Sequence, residues 1–183
     1  MSGWLEGRRV RLIGDSPSIA KAVTAQGGTV VEDSPADALI HVAAPPRRRP
    51  LHELSHGEWR ATLDAGLDQR FLLAKAFAAE RREVGTGGAV LFVGAPEQAL
   101  GSDHAAAAGA LGNLTKTLGV EWSRDGIRVN AIQTGDDGET LGNLAAYLVS
   151  DYAAYVTGAV LGVGLDDRGA GRRRRLVVKP SLL

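Results

Sequence analysis

Short apolar runs alternate with longer segments of helical periodicity along this chain. Runs typical of buried strands are predicted at 10–13, 29–31, 38–43, 89–93, 127–132 and 159–163. The segments between them are predicted as helices at 16–26, 52–83, 101–123 and 141–150. In the helix at 52–83, the predicted apolar face comprises Trp59, Leu63, Leu67, Phe71 or Leu72, Ala74 and Phe77.

The alternation of strands and helices predicts an α/β fold in which βα units build a mainly parallel sheet. We expect a Rossmann-like doubly wound parallel sheet of six strands, with helices on both faces. One domain is predicted over residues 1–166. The remaining residues, 167–183, are rich in Gly and Arg and are interpreted as a C-terminal tail.

Composition removes several classes of function. Lys and Arg together number 21, as do Asp and Glu, so a net charge of zero gives no reason to expect binding to nucleic acid or an anionic membrane. The chain has no cysteine, which excludes disulfides and thiolate metal sites and fits a reducing cytoplasm, where we expect the protein. The N-terminal residues lack the apolar core of a signal peptide, and no apolar run reaches membrane-spanning length.

The most informative pattern lies between Leu114 and Ile132, which read LTKTLGVEWSRDGIRVNAI. This stretch resembles the LT-K-L-x-x-E and G-I-R-V-N-A-I motifs of the short-chain dehydrogenase/reductase family. The resemblance extends from about Trp4 to Gly164, and SDYAAYVTGAVLGV near its end is also similar to a family motif. It implies a fold that binds NAD(P) and an activity that moves a hydride to or from a carbonyl carbon.

The phosphate-binding loop of that family reads T-G-x-x-x-G-x-G, and this chain departs from it. Gly14 matches the first glycine, but Ser18 and Ala20 replace the second and third, and Pro17 removes a backbone N–H. We therefore expect no cofactor to be bound by this chain and NAD(P) to be bound by a partner subunit. Glu32-Asp33 lies near the spacing of a ribose-binding acid, although two solvated carboxylates in a turn are the simpler interpretation.

A second departure lies between the second and third predicted strands. The family's N-N-A-G motif corresponds to His41-Val42-Ala43-Ala44, and residues 34–37 are too few to hold the additional strand that the family has before this motif. The sheet is therefore predicted to lack one edge strand.

The resemblance also implies the positions of four catalytic groups. The family's Asn corresponds to Gly66, its Ser to Ala95 in the Gly94-Ala95 pair, its Tyr to His104 and its Lys to Ala108. Because proton transfer needs a titratable group within hydrogen-bonding reach, these replacements predict no catalytic residues and a chain that is not an enzyme by itself. One alternative stays open, since histidine side chains can donate and accept protons, so His104 could serve an atypical reductase as its acid.

No metal site is expected. His41, His52 and His56 are too scattered along the chain to form a set of ligands.

The predicted role is therefore that of a non-catalytic structural or regulatory subunit in a hetero-oligomeric dehydrogenase. The helices 52–83 and 101–123 correspond to the family's dimer contact, so they are predicted to bind an active paralogue, with an acyl-CoA as one candidate substrate. A self-assembling binding or regulatory module without such a partner is the alternative. The Arg clusters 47–49 and 172–175 could attract an anionic substrate or could be solvated surface charges.

Overall fold

The computed structural model describes residues 3–32, 35–46, 49–95 and 101–163. The strands are β1 (Arg9–Ile13), β2 (Thr29–Val31), β3 (Ala38–Val42), β4 (Gly88–Gly94), β5 (Ile127–Thr134) and β6 (Val160–Val163). The helices are α1 (Pro17–Ala25), α2 (His56–Leu63), α3 (Gln69–Glu83), α4 (Ser102–Glu121) and α5 (Glu139–Val149). A π-helical turn, Asp64–Asp68, joins α2 to α3.

The six strands form one sheet in the order β2-β1-β3-β4-β5-β6, and every neighbouring pair is parallel. The predicted α/β Rossmann-like sheet of six strands is thereby confirmed. From β1 the chain first adds β2 on one side and then returns to add β3 on the other. In sheets of this kind, ligands bind outside the carboxyl ends of the strands at the point where the order reverses, which here lies between β1 and β3.

Apolar side chains fill both faces of the sheet, as expected for parallel strands covered by helices. On one face, α1 and α5 contribute Ile19, Val23 and Ala145 to a core that includes Leu91. On the other face, α3 and α4 pack Phe77 and other apolar side chains against β3, β4 and β5. These two cores fix the carboxyl ends of the strands relative to the helices that follow them.

The helix predicted at 52–83 begins later than expected. Its N-cap is Ser55, whose hydroxyl accepts a hydrogen bond from the Glu58 backbone N–H while the Glu58 carboxylate accepts one from the Ser55 N–H. This reciprocal arrangement satisfies two donors that the helix itself leaves unpaired, so α2 starts at His56. The helix predicted at 101–123 spans Ser102–Glu121.

One assignment on the apolar face of α3 was wrong. Phe71 and Leu72 are 38% and 57% exposed, whereas Arg70 is only 4% exposed. Arg70 precedes the buried Ala74 by one helical turn and therefore lies on the inward stripe. The charged Arg70 therefore lies on the buried face of α3, where the periodicity had placed Phe71 or Leu72.

The Arg clusters are only partly described. Arg47, Arg48 and the tail 167–183, with its cluster 172–175, lie outside the described residues. Arg49 forms an ion pair with Glu58 at the start of α2, so this one charge has a local acidic partner. Among the helices that the structure describes, none is long and apolar enough to cross a bilayer.

Candidate functional site

A cleft of about 470 Å³ opens at the carboxyl edge of the sheet. Its walls come from the segments that follow β1, β3 and β4, from the end of β5, from the π-helical turn and from the first three turns of α4. Of the sequence-predicted positions, it contains Gly14, Gly66, Ala95, His104 and Ala108. The fold therefore brings together residues that lie far apart in the sequence, at the place where this topology binds its ligands.

Gly14 allows the chain to leave β1 sharply. Its φ is +91°, and a Cβ at this position would lie 2.2 Å from the carbonyl oxygen of Val42 in β3. Only glycine tolerates both the left-handed conformation and the close approach of the two backbones. The first glycine of the phosphate-loop motif is thus required by the packing of this chain itself.

The N-terminus of α1 binds a carboxylate of the same chain, that of Asp137. Ser16 and Ser18 donate their hydroxyls to the Asp137 carboxylate, at 2.6 Å for Ser18, and the Ser18 backbone N–H donates at 3.1 Å. Partial burial opposes the charge on Asp137, but these hydrogen bonds lower its pKa below the ordinary value. Helix N-termini favour anions because their N–H groups point outward along the helix dipole. Asp137 therefore lies where a Rossmann-like domain holds a pyrophosphate.

The residues at this position fit the phosphates of a dinucleotide. Ser16 and Ser18 already converge on one anionic group, which shows that the donor set binds negative charge. Gly14 leaves the backbone open on the cleft side, where it is exposed. Ala20, at the third glycine position, lies within α1 and is half-buried. Bound phosphates would take the position that Asp137 occupies.

His104 lies in the first turn of α4, and its residue is half-buried against the cleft. The start of this helix is fixed by the neighbouring Asp103, which is buried and accepts a 2.8 Å hydrogen bond from the Thr62 hydroxyl of α2. Burial opposes the Asp103 charge, yet the hydrogen bonds from Thr62 and the His104 backbone N–H lower its pKa below the ordinary value. Ala108, one turn further on, lines the same wall.

Gly66 lies in the π-helical turn, directly opposite α4. A Cβ on Gly66 would lie 2.8 Å from the Cβ of Ala107, which is closer than two methyl groups can approach. The small residues at these two positions therefore allow the turn and α4 to pack together. π-helical turns inside α-helices often occur at functional sites, and this one forms part of the cleft wall.

Arg70 and His41 are cleft residues to which the sequence interpretation assigned no role. A Cβ on Gly94, next to Ala95, would lie 3.6 and 3.7 Å from the two terminal nitrogens of Arg70. Burial lowers the pKa of Arg70 to about 10. Burial, followed by the Arg70 charge, lowers the pKa of His41 to about 4, so this imidazole is neutral near pH 7. Arg70 could have been found from its place on the buried stripe of α3.

Other predicted site residues lie elsewhere. Glu32 is exposed just after β2, and Asp33 is outside the described residues. His52 and His56 are exposed near the start of α2, away from the cleft lining. In the part of the chain that the structure describes, no group of three His, Cys, Asp or Glu side chains is placed to hold a metal ion.

Comparison with known proteins gives the same family as the motifs. A family model described as Enoyl-(Acyl carrier protein) reductase matches residues 15–136, more than half of the chain. The short-chain reductase protein NovJ of Streptomyces niveus is 35% identical over 132 residues, which cover 70% of this chain and 50% of NovJ. The subunit BbsC of a hydroxy(phenyl)methylsuccinyl-CoA dehydrogenase from Thauera aromatica is 31% identical over 137 residues, which cover 61% of this chain and 55% of BbsC. The chain thus spans about half the length of these curated relatives.

Solved structures share the fold. A Beutenbergia cavernae protein assigned as an NAD(P) dependent gluconate 5-dehydrogenase, with NADP bound at low occupancy, has a TM-score of 0.76 to this chain at 21% identity. The match covers 86% of this chain and 95% of that one.

These findings correct one prediction and weaken another. The prediction that the chain is not an enzyme by itself is wrong, because the matching family model and the relatives are reductases and dehydrogenases, which points to an oxidoreductase. The expectation that this chain binds no cofactor is not supported, since NAD(P) is used within the family. The motifs, the sheet and the matching family model lead to one conclusion: the chain belongs to the short-chain dehydrogenase/reductase family.

Proposed function

We propose that this chain is an NAD(P)-dependent oxidoreductase that interconverts a hydroxyl and a carbonyl group, with His104 as its proton donor and acceptor. The observation that carries the proposal is that His104, which the resemblance aligns with the family's tyrosine, lines the cleft at the carboxyl edge of the sheet. A titratable group is thereby kept where the family places its acid, although the residue type differs. This is the atypical reductase that the sequence left open as an alternative.

The anion-binding start of α1 supports dinucleotide binding. Ser16 and Ser18 supply hydroxyl and backbone donors for phosphate oxygens, and Gly14 leaves room for them beside β1. A dinucleotide held there would supply or accept the hydride. The apolar part of the cleft, formed near Ala95 and Ala108, limits water around the reacting carbon.

His104 performs the proton transfer in this proposal. The Thr62–Asp103 hydrogen bond fixes the first turn of α4 and so holds the His104 backbone at the cleft wall. In the reductive direction the imidazolium donates its proton to the carbonyl oxygen, and in the oxidative direction the neutral imidazole accepts the hydroxyl proton. Because Ala108 replaces the family's Lys, no neighbouring ammonium repels the imidazolium from that position.

We also propose that the chain assembles with a second family member through helices 52–83 and 101–123. Apolar side chains support this, since Leu72 on α3 and Val120 on α4 are 57% and 77% exposed. Burial of such residues is a main driving force of subunit association. The name of BbsC describes a subunit, which supports a heteromeric assembly, and an acyl-CoA remains a candidate substrate on the same ground.

Replacing Asp137 with Ala is expected to raise the affinity of the chain for NADH or NADPH. In the free protein the phosphates compete with a carboxylate held by three hydrogen bonds, which at this exposed site contribute about 2 kcal/mol together. Their loss corresponds to about 30-fold tighter binding. Calorimetric titration of the purified full-length chain with both dinucleotides measures the change.

Asp136→Ala is the matched control for that titration. It removes the same charge one residue away, where the carboxylate contacts Thr134 rather than α1. We expect this variant to bind the dinucleotides like the wild type. No saturable binding by either the wild type or Asp137→Ala would overturn the proposed function.

The Leu72→Lys and Val120→Lys pair is expected to abolish assembly with the second subunit while leaving the fold intact. Both side chains are exposed in the single chain, so a lysine costs little until a partner must cover it. Affinity purification from native extract, followed by light scattering of the purified complex, measures the effect. Lys75→Gln, an exposed change on α3, serves as the control.

The same purification separates the proposal from a self-assembling module. A co-purifying family member that is lost from the double variant supports the proposal. A homo-oligomer that contains no family member and is unaffected by the double variant contradicts the proposed assembly.

A further inference from the structure

Arg70 is a buried cation without an acidic partner among the described residues. It is 4% exposed, and the hydrogen bond recorded for its side chain is a long one, 3.4 Å from Nη2 to the Val93 carbonyl oxygen. That oxygen already accepts a 2.9 Å hydrogen bond from the Ala43 backbone N–H. The buried Nε atom has no partner in the described part of the chain. Among the described residues, most of the donor capacity of this guanidinium is therefore unused.

A buried charge of this kind is costly unless an opposite charge compensates it. The arginines for which the structure does record an ion pair contact a carboxylate at or near the surface, as in Arg11–Glu80 and Arg81–Asp37. Arg70 instead directs its terminal nitrogens toward Gly94 at the cleft. The compensating group is thus expected to enter from the cleft.

His41 adds a second polar group at the same place. It lies one residue before Val42, the last residue of β3, and its Nδ1 atom is buried without a partner in the described residues. The imidazole is close enough to Arg70 to sense its charge. A neutral imidazole can donate one hydrogen bond to an anion that the guanidinium holds.

We propose that Arg70 and His41 form a binding site for the carboxylate of the substrate, so that this oxidoreductase acts on oxo or hydroxy acids. This proposal rests on the proposed function, because it places the substrate's reacting carbon in the same cleft as His104. The planar guanidinium matches a carboxylate with two parallel N–H···O bonds.

A carboxylate fits the local charge better than a phosphate does. Arg70 supplies one positive charge, and His41 is neutral, so a monoanion is balanced and a dianion is not. The cleft lining also provides apolar side chains, among them Phe92, Ala95 and Leu111. This composition favours an acid with an apolar body.

Calorimetric titration of the full-length chain with benzoylformate tests the proposal, with methyl benzoylformate as its neutral counterpart and inorganic phosphate as the competing anion. We expect saturable binding of benzoylformate and binding that is weaker by about 10-fold or more for the ester and for phosphate. Arg70→Gln should lose about 10-fold or more of the benzoylformate affinity, and Arg70→Lys should lose less because it keeps the charge. Lys75→Gln removes an exposed charge from the same helix and should change nothing.

Circular dichroism of each variant establishes that it folds before it is titrated. No benzoylformate saturation, equal affinity of wild type and Arg70→Gln, or tighter binding of phosphate than of benzoylformate would each overturn the proposal. The titration needs no dinucleotide and no turnover. A chain that binds benzoylformate through Arg70 but never binds NAD(P) would therefore contradict the proposed function and leave this site standing.

Discussion

Replacing His104 with Gln is expected to lower kcat by about 10²–10⁴-fold, the usual contribution of a positioned acid or base. Glutamine keeps a hydrogen-bonding side chain at the start of α4 but has no titratable proton. The substrate's binding contacts with Arg70 and His41 are untouched, so KM should change little. Steady-state reduction of benzoylformate by the purified chain with NADH or NADPH measures both constants.

His52→Gln makes the same chemical change at a different place. His52 lies in a short turn before α2, and its side chain is 82% exposed. It should leave both kinetic constants unchanged. Full activity in His104→Gln would contradict the role of His104, and equal losses in the two variants would show that the effect is not specific to the cleft.

Replacing Arg70 with Met is expected to stabilise the free chain by about 1–4 kcal/mol, the range found when buried ionic groups give way to apolar residues. Methionine is unbranched and can follow the path of the arginine stem on the buried stripe of α3 that also holds Ala74 and Phe77. For a domain of this size, each kcal/mol corresponds to about 2–4 °C in Tm. Thermal unfolding without added anion measures the shift.

Benzoylformate provides the second half of that experiment. It should raise the Tm of the wild type, because a ligand that binds only the folded state stabilises it, and it should leave Arg70→Met unchanged. Lys75→Met, an exposed control, should shift Tm by little in either condition. A lower Tm for Arg70→Met than for the wild type would contradict the inference that the buried charge is uncompensated.

The sequence predicted the fold well because each local signal agreed with the next. The apolar runs gave all six strands to within about two residues at each end, and the Ser16-Pro17 start and the Gly27-Gly28 end bounded α1. The interruption at 64–68 was not predicted, since a π-helical turn leaves the apolar periodicity of the flanking helices almost intact. Helix ends were the least accurate part, as the later start of α2 at His56 shows.

The resemblance assigned the family's site positions, but the conclusion that the chain is not an enzyme by itself was wrong. Gly14, Gly66, Ala95, His104 and Ala108 were assigned by resemblance, and all five line one cleft. The prediction of an inactive chain assumed that only the family's Asn, Ser, Tyr and Lys can perform the reaction. The reductases and dehydrogenases among the relatives contradict that step.

Two features on which the proposals depend could not be predicted from local sequence patterns. Asp137 reaches Ser16 and Ser18 across more than a hundred residues, and such pairs cannot be deduced from spacing along the chain. Arg70 had a signal in its one-turn spacing from Ala74, but the adjacent Phe71 and Leu72 offered apolar alternatives. Which residue faces inward was decided by the packing of α3 on the sheet.

The central claim is that this chain itself transfers a hydride in its cleft. It is tested most directly by incubating the purified full-length chain with benzoylformate and NADH or NADPH deuterated at the transferable position of the nicotinamide ring. We expect deuterium to appear on the carbinol carbon of the mandelate product and His104→Gln to form far less of this product. Saturable binding of dinucleotide and benzoylformate, with no deuterium transferred by the wild type, would contradict it.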